Sequence, residues 1–383
     1  MKIGVLGTGT VGVMTVCHFL KYHKDQNIKV YCVHNPNKKI LGIGESSNIQ
    51  LPKLLWESLN FNVNFDFDEL DATIKYSVYY KNWRKHNFYS PIIPNEYAIH
   101  FNNFKLKEFA FKRCKEIYKD RFEEIHEDVY SVINGDENVK VNNHTFDYVI
   151  DCRGWPESYD DYYVSNSLPL NKCFVYQIKK PGDWNFTYHQ ATKNGWLFGI
   201  PLRTRQGWGY LFNDKITTDQ NALLDLSKIL KKQIKKSDIN EFKFKAYSAK
   251  QFLNKRIIKN GNRAIFFEPL EALSGGMYDN INRVFWDYIF KKKSEKDVNN
   301  YLIDLSKRYE NFLCYIYHGG STFNSKFWKH AKEITTKHLK NNDVWKETIN
   351  FNKINYYNCT QSYPLGYYSW QILDKQLGYN YFI

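Results

Sequence analysis

The first 33 residues show both strand-like and helix-like spacing of hydrophobic and polar positions. Residues 2–6 form a short apolar run, and the glycine-rich segment 7–12 follows directly. From residue 11 to residue 23 apolar side chains recur every three or four positions, the spacing of one buried helix face. Residues 28–33 then alternate as a half-buried strand does. The pattern predicts a strand, a helix and a second, parallel strand within about 30 residues.

The remaining pattern predicts a mixture of helices and short strands without an internal repeat. Further helices are predicted over residues 50–59, 104–119 and 219–236, with mostly helical structure after residue 275. Glycine, proline and asparagine mark the turns between the predicted strands, which lie within 128–149, at 147–151, between 165 and 215, and at 263–267.

This order of elements is typical of an α/β protein in which a nucleotide-binding domain is split by a β-rich insertion and followed by a helical cap. The length of 383 residues is sufficient for two domains at roughly 150 residues each. We expect the nucleotide-binding domain over 1–155 and 255–290, the β-rich region over 156–254 and the helical cap over 291–383.

Composition narrows the class of protein further. The chain is 43% hydrophobic and 25% charged, which excludes intrinsic disorder. No apolar run reaches about 18 residues and the first residues lack the apolar core of a signal peptide, so we expect a cytoplasmic protein without membrane spans. The seven cysteines are widely spaced and the histidines form no ligand motif, so neither a disulfide framework nor a metal site is predicted.

The glycine-rich segment stands in the context that a dinucleotide requires. Gly7 allows the tight turn, Gly9 lets the backbone approach a pyrophosphate, and Gly12 lets the helix pack closely on the strand. The N-terminus of the next helix would then favour the phosphate charge. The acidic residue that usually binds the ribose is replaced by His34, which Asn35 follows. The adenosine half of a dinucleotide must therefore be held in another way.

Two ionisable residues stand in unusual surroundings. Lys75 lies in an aromatic stretch, where it either serves a function or extends its ammonium to water. Glu271 follows an apolar strand, so it either faces a cofactor or lies in the first turn of a helix, where the dipole favours it. The residues by themselves leave both alternatives open at both positions.

A series of motifs, taken in order, resembles those of the flavin-dependent halogenases, the family of the tryptophan halogenases. The resemblance covers nearly the whole chain. The motifs are Gly-x-Gly-x-x-Gly at 7–12, Gly-x-Gly-Glu-Ser at 42–46, the segment 71–75 with 82–83, Asp-Cys-Arg-Gly at 151–154, Gly-Trp-x-x-x-Ile-Pro at 195–201 with 205–210 after it, Glu-Pro-Leu-Glu at 268–271, and 318–321 with 327–328.

The resemblance implies a Rossmann-type FAD-binding domain and a helical C-terminal cap on the substrate side. It further implies an enzyme that uses reduced FAD, delivered by a separate flavin reductase in a transient encounter, with O2 and chloride or bromide to make hypohalous acid. That acid would halogenate a small electron-rich aromatic substrate such as an indole or tryptophan. A homodimer is compatible with this family pattern.

Residue roles are implied by the matched motifs. Lys75 would hold the hypohalous acid, and Glu271 would stabilise the charge on the ring or take up its proton. The side chains that would separate flavin from substrate are Trp196, Phe198, Ile200 and Pro201, and the halide would lie at Leu273 and Ser274. The implied FAD contacts are Gly7, Gly9, Thr10, Gly12, Asn35, Lys38, Leu41, Glu45, Ser46, Val129, Asp151, Gly154 and Gly275.

Three departures from the family pattern bear on specificity. Phe198 replaces the second tryptophan of the Trp-x-Trp-x-Ile-Pro motif. Residues 272–275 replace the small or hydroxylated residues that follow the functional glutamate, from which we expect bromide to be used better than chloride. The chain is also shorter, with the loss concentrated over 84–97 and in the cap, so the substrate is the least determined property.

Two other functions are compatible with the residues. A flavin monooxygenase that hydroxylates an aromatic ring directly shares the glycine motifs, but it does not need Lys75 or the segment 195–201. A non-catalytic flavin-binding or nucleic-acid-associated protein would explain the formal net charge of +14. The basic run at 228–236 is more typical of a solvated helix face, and no nucleic-acid-binding module is recognisable, so nucleic acid is not favoured as a partner.

Overall fold

The helices are seen in a computed structural model that describes residues 1–22, 26–38, 42, 45–341 and 367–379. They are α1 (Thr10–Leu20), α2 (Gln50–Leu59), α3 (Phe67–Leu70), α4 (Asn103–Tyr118), α5 (Asp219–Leu230), α6 (Ser274–Lys291), α7 (Glu295–His318), α8 (Lys326–Lys340) and a last helix, Tyr367–Leu377. None of these helices is both long enough and apolar enough to cross a membrane.

The strands alternate with these helices in the first part of the chain and follow one another in the middle. The first eleven are β1 (Lys2–Leu6), β2 (Lys29–His34), β3 (Thr73–Lys75), β4 (Ser77–Lys81), β5 (Phe88–Pro91), β6 (Ala98–His100), β7 (Phe122–His126), β8 (Val132–Asn134), β9 (Val139–Val141), β10 (His144–Phe146) and β11 (Tyr148–Asp151). The others are β12 (Tyr162–Val164), β13 (Lys172–Ile178), β14 (Phe186–Ala191), β15 (Trp196–Pro201), β16 (Gln206–Phe212), β17 (Asn240–Lys243), β18 (Tyr247–Ala249), β19 (Leu253–Asn254), β20 (Ile257–Lys259) and β21 (Ile265–Phe266).

A six-stranded sheet in the order β19-β20-β11-β1-β2-β7 carries the glycine-rich turn. Its neighbouring strands are parallel except for the pair β19–β20. Val5 on the central strand lies between Cys32 and Ile150, and all three side chains are buried because helices cover the sheet. The predicted strand–helix–strand unit and the predicted α/β class are confirmed, with α1 joining β1 to β2.

A seven-stranded sheet in the order β17-β13-β16-β15-β14-β4-β5 forms the second large layer. It is antiparallel apart from the pair β14–β4. Most of its strands come from the predicted β-rich region, and β4 and β5 come from the first predicted segment. Three smaller sheets, β8–β10, β12-β18-β21 and β3-β6, complete the strands, and the domain bounds stay a prediction.

Two predicted elements are shorter in the structure than the sequence pattern indicated. The helix expected over 219–236 ends at Leu230, because Lys231 adopts a left-handed conformation with φ of 52°. The chain then turns back, the backbone N–H of Ile234 donates to Ser227 Oγ, and the Ile234 side chain becomes buried. The strand expected over 263–267 is reduced to two residues by the 3-10 turn Gly261–Arg263 before it.

Candidate functional site

One cavity of about 570 Å³ begins at the carboxyl ends of the parallel strands. Its lining includes the glycine turn after β1 and the segments that follow β2 and β11, which is where open α/β sheets bind ligands. The same cavity is also lined by Lys75, Glu271 and Phe198. The two implied catalytic residues and the glycine turn therefore share one continuous space.

The glycine turn has the shape that a dinucleotide needs. Gly7 has a φ of +99°, and a Cβ there would lie 2.9 Å from the Cys152 carbonyl oxygen. A Cβ on Gly12 would lie 2.1 Å from the Gly7 carbonyl oxygen, so glycine is required for the close packing of helix and strand. Gly9 and Gly154 line the cavity, and a Cβ on either would meet no atom within 4 Å. These two positions leave open a cradle that a phosphate could fill, so the residues fit a dinucleotide such as FAD.

Acidic residues reach the other end of the cavity from the loop after β7. Asn35 Nδ2 donates a hydrogen bond of 2.7 Å to Asp128 Oδ2, and Lys38 Nζ lies 2.9 Å from Asp128 Oδ1. Glu127 and Asp128 both line the cavity beside His34. Because β7 pairs with β2, the Asp128 carboxylate lies close to the end of β2, where an acidic residue that binds the ribose is usually found. The sequence pattern did not reveal it, since Phe122–His126 was not recognised as a strand.

His34 itself is held by a carboxylate. Its Nε2 lies 3.0 Å from Glu124 Oε1, and this hydrogen bond is the main reason that the pKa of Glu124 falls to about 2. His126 Nε2 lies 3.5 Å from the same oxygen, so the three side chains are close enough to chelate a cation. Lys115 Nζ lies 2.5 Å from the other oxygen of Glu124 and already balances its charge.

Lys75 is fixed by pairing between segments that are distant in sequence. It ends β3, where it lies opposite Ala98 of β6. The loop before α2 pairs with the other side of that strand, since Ser47 N donates to the Ile99 carbonyl oxygen at 2.9 Å. As a result Lys75 Nζ donates to Ser46 Oγ and to the Ser47 carbonyl oxygen, both at 3.1 Å.

The Lys75 side chain is buried and does not extend its ammonium to the protein surface. Only 4% of the residue is exposed, and this burial lowers its pKa from 10.5 to about 8. The Glu271 carboxylate opposes the shift but does not cancel it. Near pH 8 a substantial fraction of Lys75 is therefore a neutral amine, which is a nucleophile.

Glu271 lies before α6 rather than in its first turn. Its φ of 61° and that of Ala272, 52°, are left-handed values that non-glycine residues adopt at a cost. The Tyr80 hydroxyl donates a hydrogen bond to Glu271 Oε1 and helps to hold this conformation. Burial raises the pKa of Glu271, while the Tyr80 hydrogen bond and Lys75 act in the opposite direction. A carboxylate that has a strained backbone and a perturbed pKa and lines a cavity is typical of a functional site.

A second carboxylate in the same segment, Glu268, lines the cavity as well. Burial raises its pKa to about 8, which the Tyr317 hydroxyl opposes. Neither of its oxygens has a hydrogen-bond partner of good geometry among the described residues. The sequence contained a signal for this residue, since Glu268 opens the Glu-Pro-Leu-Glu motif. No local pattern, however, indicated that Glu268 would be the more deeply buried of the two glutamates.

The other implied residues divide between the cavity and the packed interior. Phe198 and Ile200 line the cavity, whereas Trp196 and Pro201 do not. Trp196 is fully buried, and its indole N–H donates to the Tyr317 hydroxyl at 2.7 Å. Of the two residues implied for halide, Ser274 lines the cavity and Leu273 does not.

Most of the implied FAD contacts line the cavity. Those that do are Gly7, Gly9, Thr10, Asn35, Lys38, Glu45, Ser46, Val129, Gly154 and Gly275. Gly12 and Asp151 do not, and Leu41 lies outside the described residues. The Asp151 carboxylate instead receives two hydrogen bonds of 2.8 Å from the Arg153 guanidinium and lies 3.3 Å from Arg263.

Glu45 is paired inside the cavity wall. Arg205 Nη2 lies 2.7 and 2.5 Å from its two oxygens. Burial nevertheless raises the pKa of Glu45 to about 7, against the effect of Arg205. Arg205 follows the strand β15. This ion pair therefore joins Glu45, in the segment before α2, to the seven-stranded sheet.

Comparison with known proteins identifies a family for this chain. The model of the family described as Tryptophan halogenase matches residues 2–132 and 95–358. A tryptophan 6-halogenase of Streptomyces albogriseolus is 20% identical over 423 residues, which cover 86% of this chain and 78% of that protein. The fold is similar to a flavin-dependent halogenase from Xanthomonas campestris, with a TM-score of 0.81, 15% identity and coverage of 98% and 88%. The fold is also similar to a flavin-dependent halogenase from a Brevundimonas species, with a TM-score of 0.78, 16% identity and coverage of 98% of this chain and 89% of that chain.

Proposed function

Because this chain belongs to the tryptophan halogenase family, we propose that it is an FADH2-dependent halogenase of small electron-rich aromatic compounds, of which indoles and tryptophan are the first candidates. One observation carries the proposal: the buried Lys75 and the half-buried Glu271 line the cavity that also contains the glycine turn. Binding a dinucleotide requires neither a buried amine nor a strained carboxylate at this place.

The proposed cofactor is FAD, cradled at Gly9 and Gly154. Bound reduced FAD would supply the two electrons and two protons that, with one further proton, turn O2 and a halide ion into hypohalous acid and water. Thr10 begins α1 and would present its backbone N–H towards a phosphate. Asn35, Lys38 and the carboxylate of Asp128 would hold the adenosine end, because all three line the cavity beside β2.

The proposed task of Lys75 is to hold the hypohalous acid and to direct its halogen to the substrate. Free hypohalous acid reacts without selectivity, so a fixed nitrogen that binds it or takes up its halogen gives control. Burial makes the neutral amine available near pH 8, and the contacts with Ser46 and Ser47 fix its position.

The proposed task of Glu271 is to stabilise the positive charge that builds up on the ring and to accept the proton that the ring releases. Its raised pKa makes it a better proton acceptor than an exposed carboxylate. Phe198 and Ile200 would limit the approach of the substrate to the flavin, and Ser274 and Gly275 would offer backbone N–H groups to the halide at the start of α6.

The proposed partners are a flavin reductase that delivers reduced FAD and the aromatic substrate. No second glycine-rich strand–helix unit for a nicotinamide cofactor is recognisable in the sequence. We expect the purified protein to leave NADPH unoxidised in the presence of FAD. A cytoplasmic location is part of this proposal, since reductase and reduced nucleotide are supplied there.

A product assay tests the proposal. The protein, FAD, a reductase with NADH, and bromide are incubated with a panel of indoles and phenols, and products are identified by mass spectrometry. We expect replacement of one hydrogen by bromine, dependent on both reductase and bromide. The absence of brominated product across the panel, with reduced FAD bound, would contradict the proposed chemistry.

Aromatic hydroxylation is the second candidate. It is favoured by the continuity of the cavity between the glycine turn and Lys75, and by the absence of Trp196 from its lining. The same panel without halide measures it, since a monooxygenase would then add oxygen to the ring. A gel shift at about 150 mM salt tests the non-catalytic, nucleic-acid-associated alternative, because non-specific phosphate binding falls steeply with salt.

A further inference from the structure

A chain of hydrogen bonds leads from the Lys75 amine into the protein interior. Lys75 Nζ lies 3.1 Å from Ser46 Oγ, and Ser46 Oγ lies 3.1 Å from Thr187 Oγ1. Thr187 Oγ1 lies 2.9 Å from Nε2 of His100, a residue with no exposed surface. These four residues come from three strands and a loop, so only the fold brings them into line.

The hydrogen bonds at the inner end of this chain determine which atom donates in each of the others. His100 Nδ1 lies 3.2 Å from Thr73 Oγ1, and the Thr73 hydroxyl donates to the Pro201 carbonyl oxygen at 2.7 Å. A carbonyl oxygen can only accept, so the Thr73 proton is committed to Pro201 and the Thr73 oxygen accepts from His100 Nδ1. Burial and the nearby Lys75 hold the pKa of His100 well below its usual range, so the ring is neutral and carries one N–H.

The donors of the remaining hydrogen bonds, from His100 to Lys75, follow from this assignment. With its proton on Nδ1, His100 presents a lone pair on Nε2, and the Thr187 hydroxyl must donate to it. The Thr187 oxygen in turn accepts from the Ser46 hydroxyl. Ser46 therefore offers Lys75 only a lone pair, as the Ser47 carbonyl oxygen does.

This arrangement matches a neutral amine. A neutral lysine nitrogen has two N–H groups and one lone pair. Ser46 Oγ and the Ser47 carbonyl oxygen accept the two N–H groups, so the lone pair is left for the cavity that Lys75 lines. If the Ser46 hydroxyl turned round, it would donate to that lone pair and occupy it.

We propose that His100, acting through Thr187 and Ser46, is a positioning residue that keeps the Ser46 hydroxyl turned away from Lys75 and so leaves the amine lone pair free to react. The inference rests on the proposed function for its reactant, hypohalous acid. In the step, the nitrogen forms a bond to halogen while the oxygen–halogen bond breaks, and the departing hydroxide takes the amine proton to become water.

Two further titratable groups near Lys75 lie outside this chain of hydrogen bonds. Glu271 raises the pKa of Lys75, and the neutral ring of His189 lies on a strand packed against it. His189 Nδ1 has no hydrogen-bond partner within the described ranges, and His189 takes part in none of the hydrogen bonds that make up the chain. A change at Thr187 alters the orientation of the Ser46 hydroxyl and leaves Glu271 in place.

The test is a titration of Lys75 in the full-length protein labelled with [ε-13C]lysine. The Lys75 signal is identified by its loss in Lys75→Met. Thr187→Val has nearly the same volume but breaks the chain, so Ser46 can donate to the amine and stabilise its neutral form. We expect the midpoint to fall by about 0.5–1 pH unit, the equivalent of one hydrogen bond. Thr187→Ser keeps a hydroxyl and should keep the wild-type midpoint.

His100→Leu provides an independent break one link further along, should Thr187→Val not fold. It should move the midpoint in the same direction, and bromination should fall roughly tenfold in either broken variant while FAD binding is retained. Unchanged midpoints in both variants would overturn the inference. A shifted midpoint in a protein whose wild type forms no halogenated product would instead overturn the proposed function and support the positioning of the amine.

Discussion

The Tyr80 hydroxyl donates a hydrogen bond to Glu271 Oε1, which joins the seven-stranded sheet to the segment that precedes α6. Tyr80 is buried, and its ring stacks on Phe88 with centroids 4.8 Å apart. The hydroxyl is therefore held in place before any substrate binds. Because the hydrogen bond favours the ionised carboxylate, it limits the rise in pKa that burial imposes on Glu271.

Tyr80→Phe should shift the pH dependence of halogenation. Without the hydroxyl, the pKa of Glu271 rises further, so the carboxylate becomes protonated at a higher pH than in the wild type. The acid limb of the rate profile should move up by about one pH unit, the value of a hydrogen bond to a charged group. Tyr79→Phe, on the opposite face of β4, is the matched control. An unshifted acid limb in Tyr80→Phe would show that Glu271 does not titrate in the rate-determining step.

Lys75→Ala should abolish halogenated product but leave FAD binding and oxygen consumption near the wild-type level, since nothing would then hold the hypohalous acid. Lys75→Arg should not restore product, because a guanidinium with a pKa above about 12 offers no neutral nitrogen. Product is measured by mass spectrometry and oxygen by electrode, with Lys85→Ala, an exposed lysine, as control. Full halogenation by Lys75→Ala would exclude Lys75 from the reaction, and loss of folding would make it a structural lysine.

Glu271→Gln keeps the shape of the side chain but removes its charge. Product formation should fall by a factor on the order of 10²–10⁴ if the carboxylate accepts the ring proton or stabilises its charge. Because Lys75 and Glu271 would serve the same step, the double variant should be little slower than the slower single variant. Multiplicative losses in the double variant would instead assign the two residues to separate steps.

Gly9 and Gly12 should respond differently to alanine. A Cβ on Gly9 meets no atom within 4 Å and its φ of −62° suits alanine, so Gly9→Ala should fold normally but bind FAD weakly, as its methyl group enters the cradle. A Cβ on Gly12 would lie 2.1 Å from the Gly7 carbonyl oxygen, so Gly12→Ala should lower the melting temperature. Calorimetry and FAD titration of both variants separate the effects. Unchanged FAD affinity in Gly9→Ala would place the phosphates elsewhere.

Bromide should be turned over faster than chloride at equal concentration. Leu273 and Ser274 restrict the backbone more than glycine does, so the first N–H groups of α6 are less free to close around a small anion. Bromide is the larger and less strongly hydrated ion, and it loses less when it enters such a site. Ser274→Gly should raise the chloride rate relative to bromide. Equal or faster chlorination by the wild type would contradict this expectation.

The glycine turn and the elements around it could be predicted because their causes are local. The close contact of Gly12 with Gly7 and the apolar period of α1 are properties of neighbouring residues. The helix Gln50–Leu59 was predicted with both ends correct for the same reason. The end of α5 was not predicted correctly. The basic residues after Leu230 continue the helical pattern, but the chain turns back there and buries Ile234.

By itself the sequence determined the α/β class and the family, because glycine spacing, hydrophobic period and motif order are readable along one chain. It also named Lys75 and Glu271. Only the tertiary structure decided that Lys75 is buried away from water, that Tyr80 holds Glu271, and that Thr187 and His100 stand behind Ser46. The physical reason is that burial and hydrogen bonding between distant segments set the charge and direction of a side chain, and no local pattern records which strands will pair.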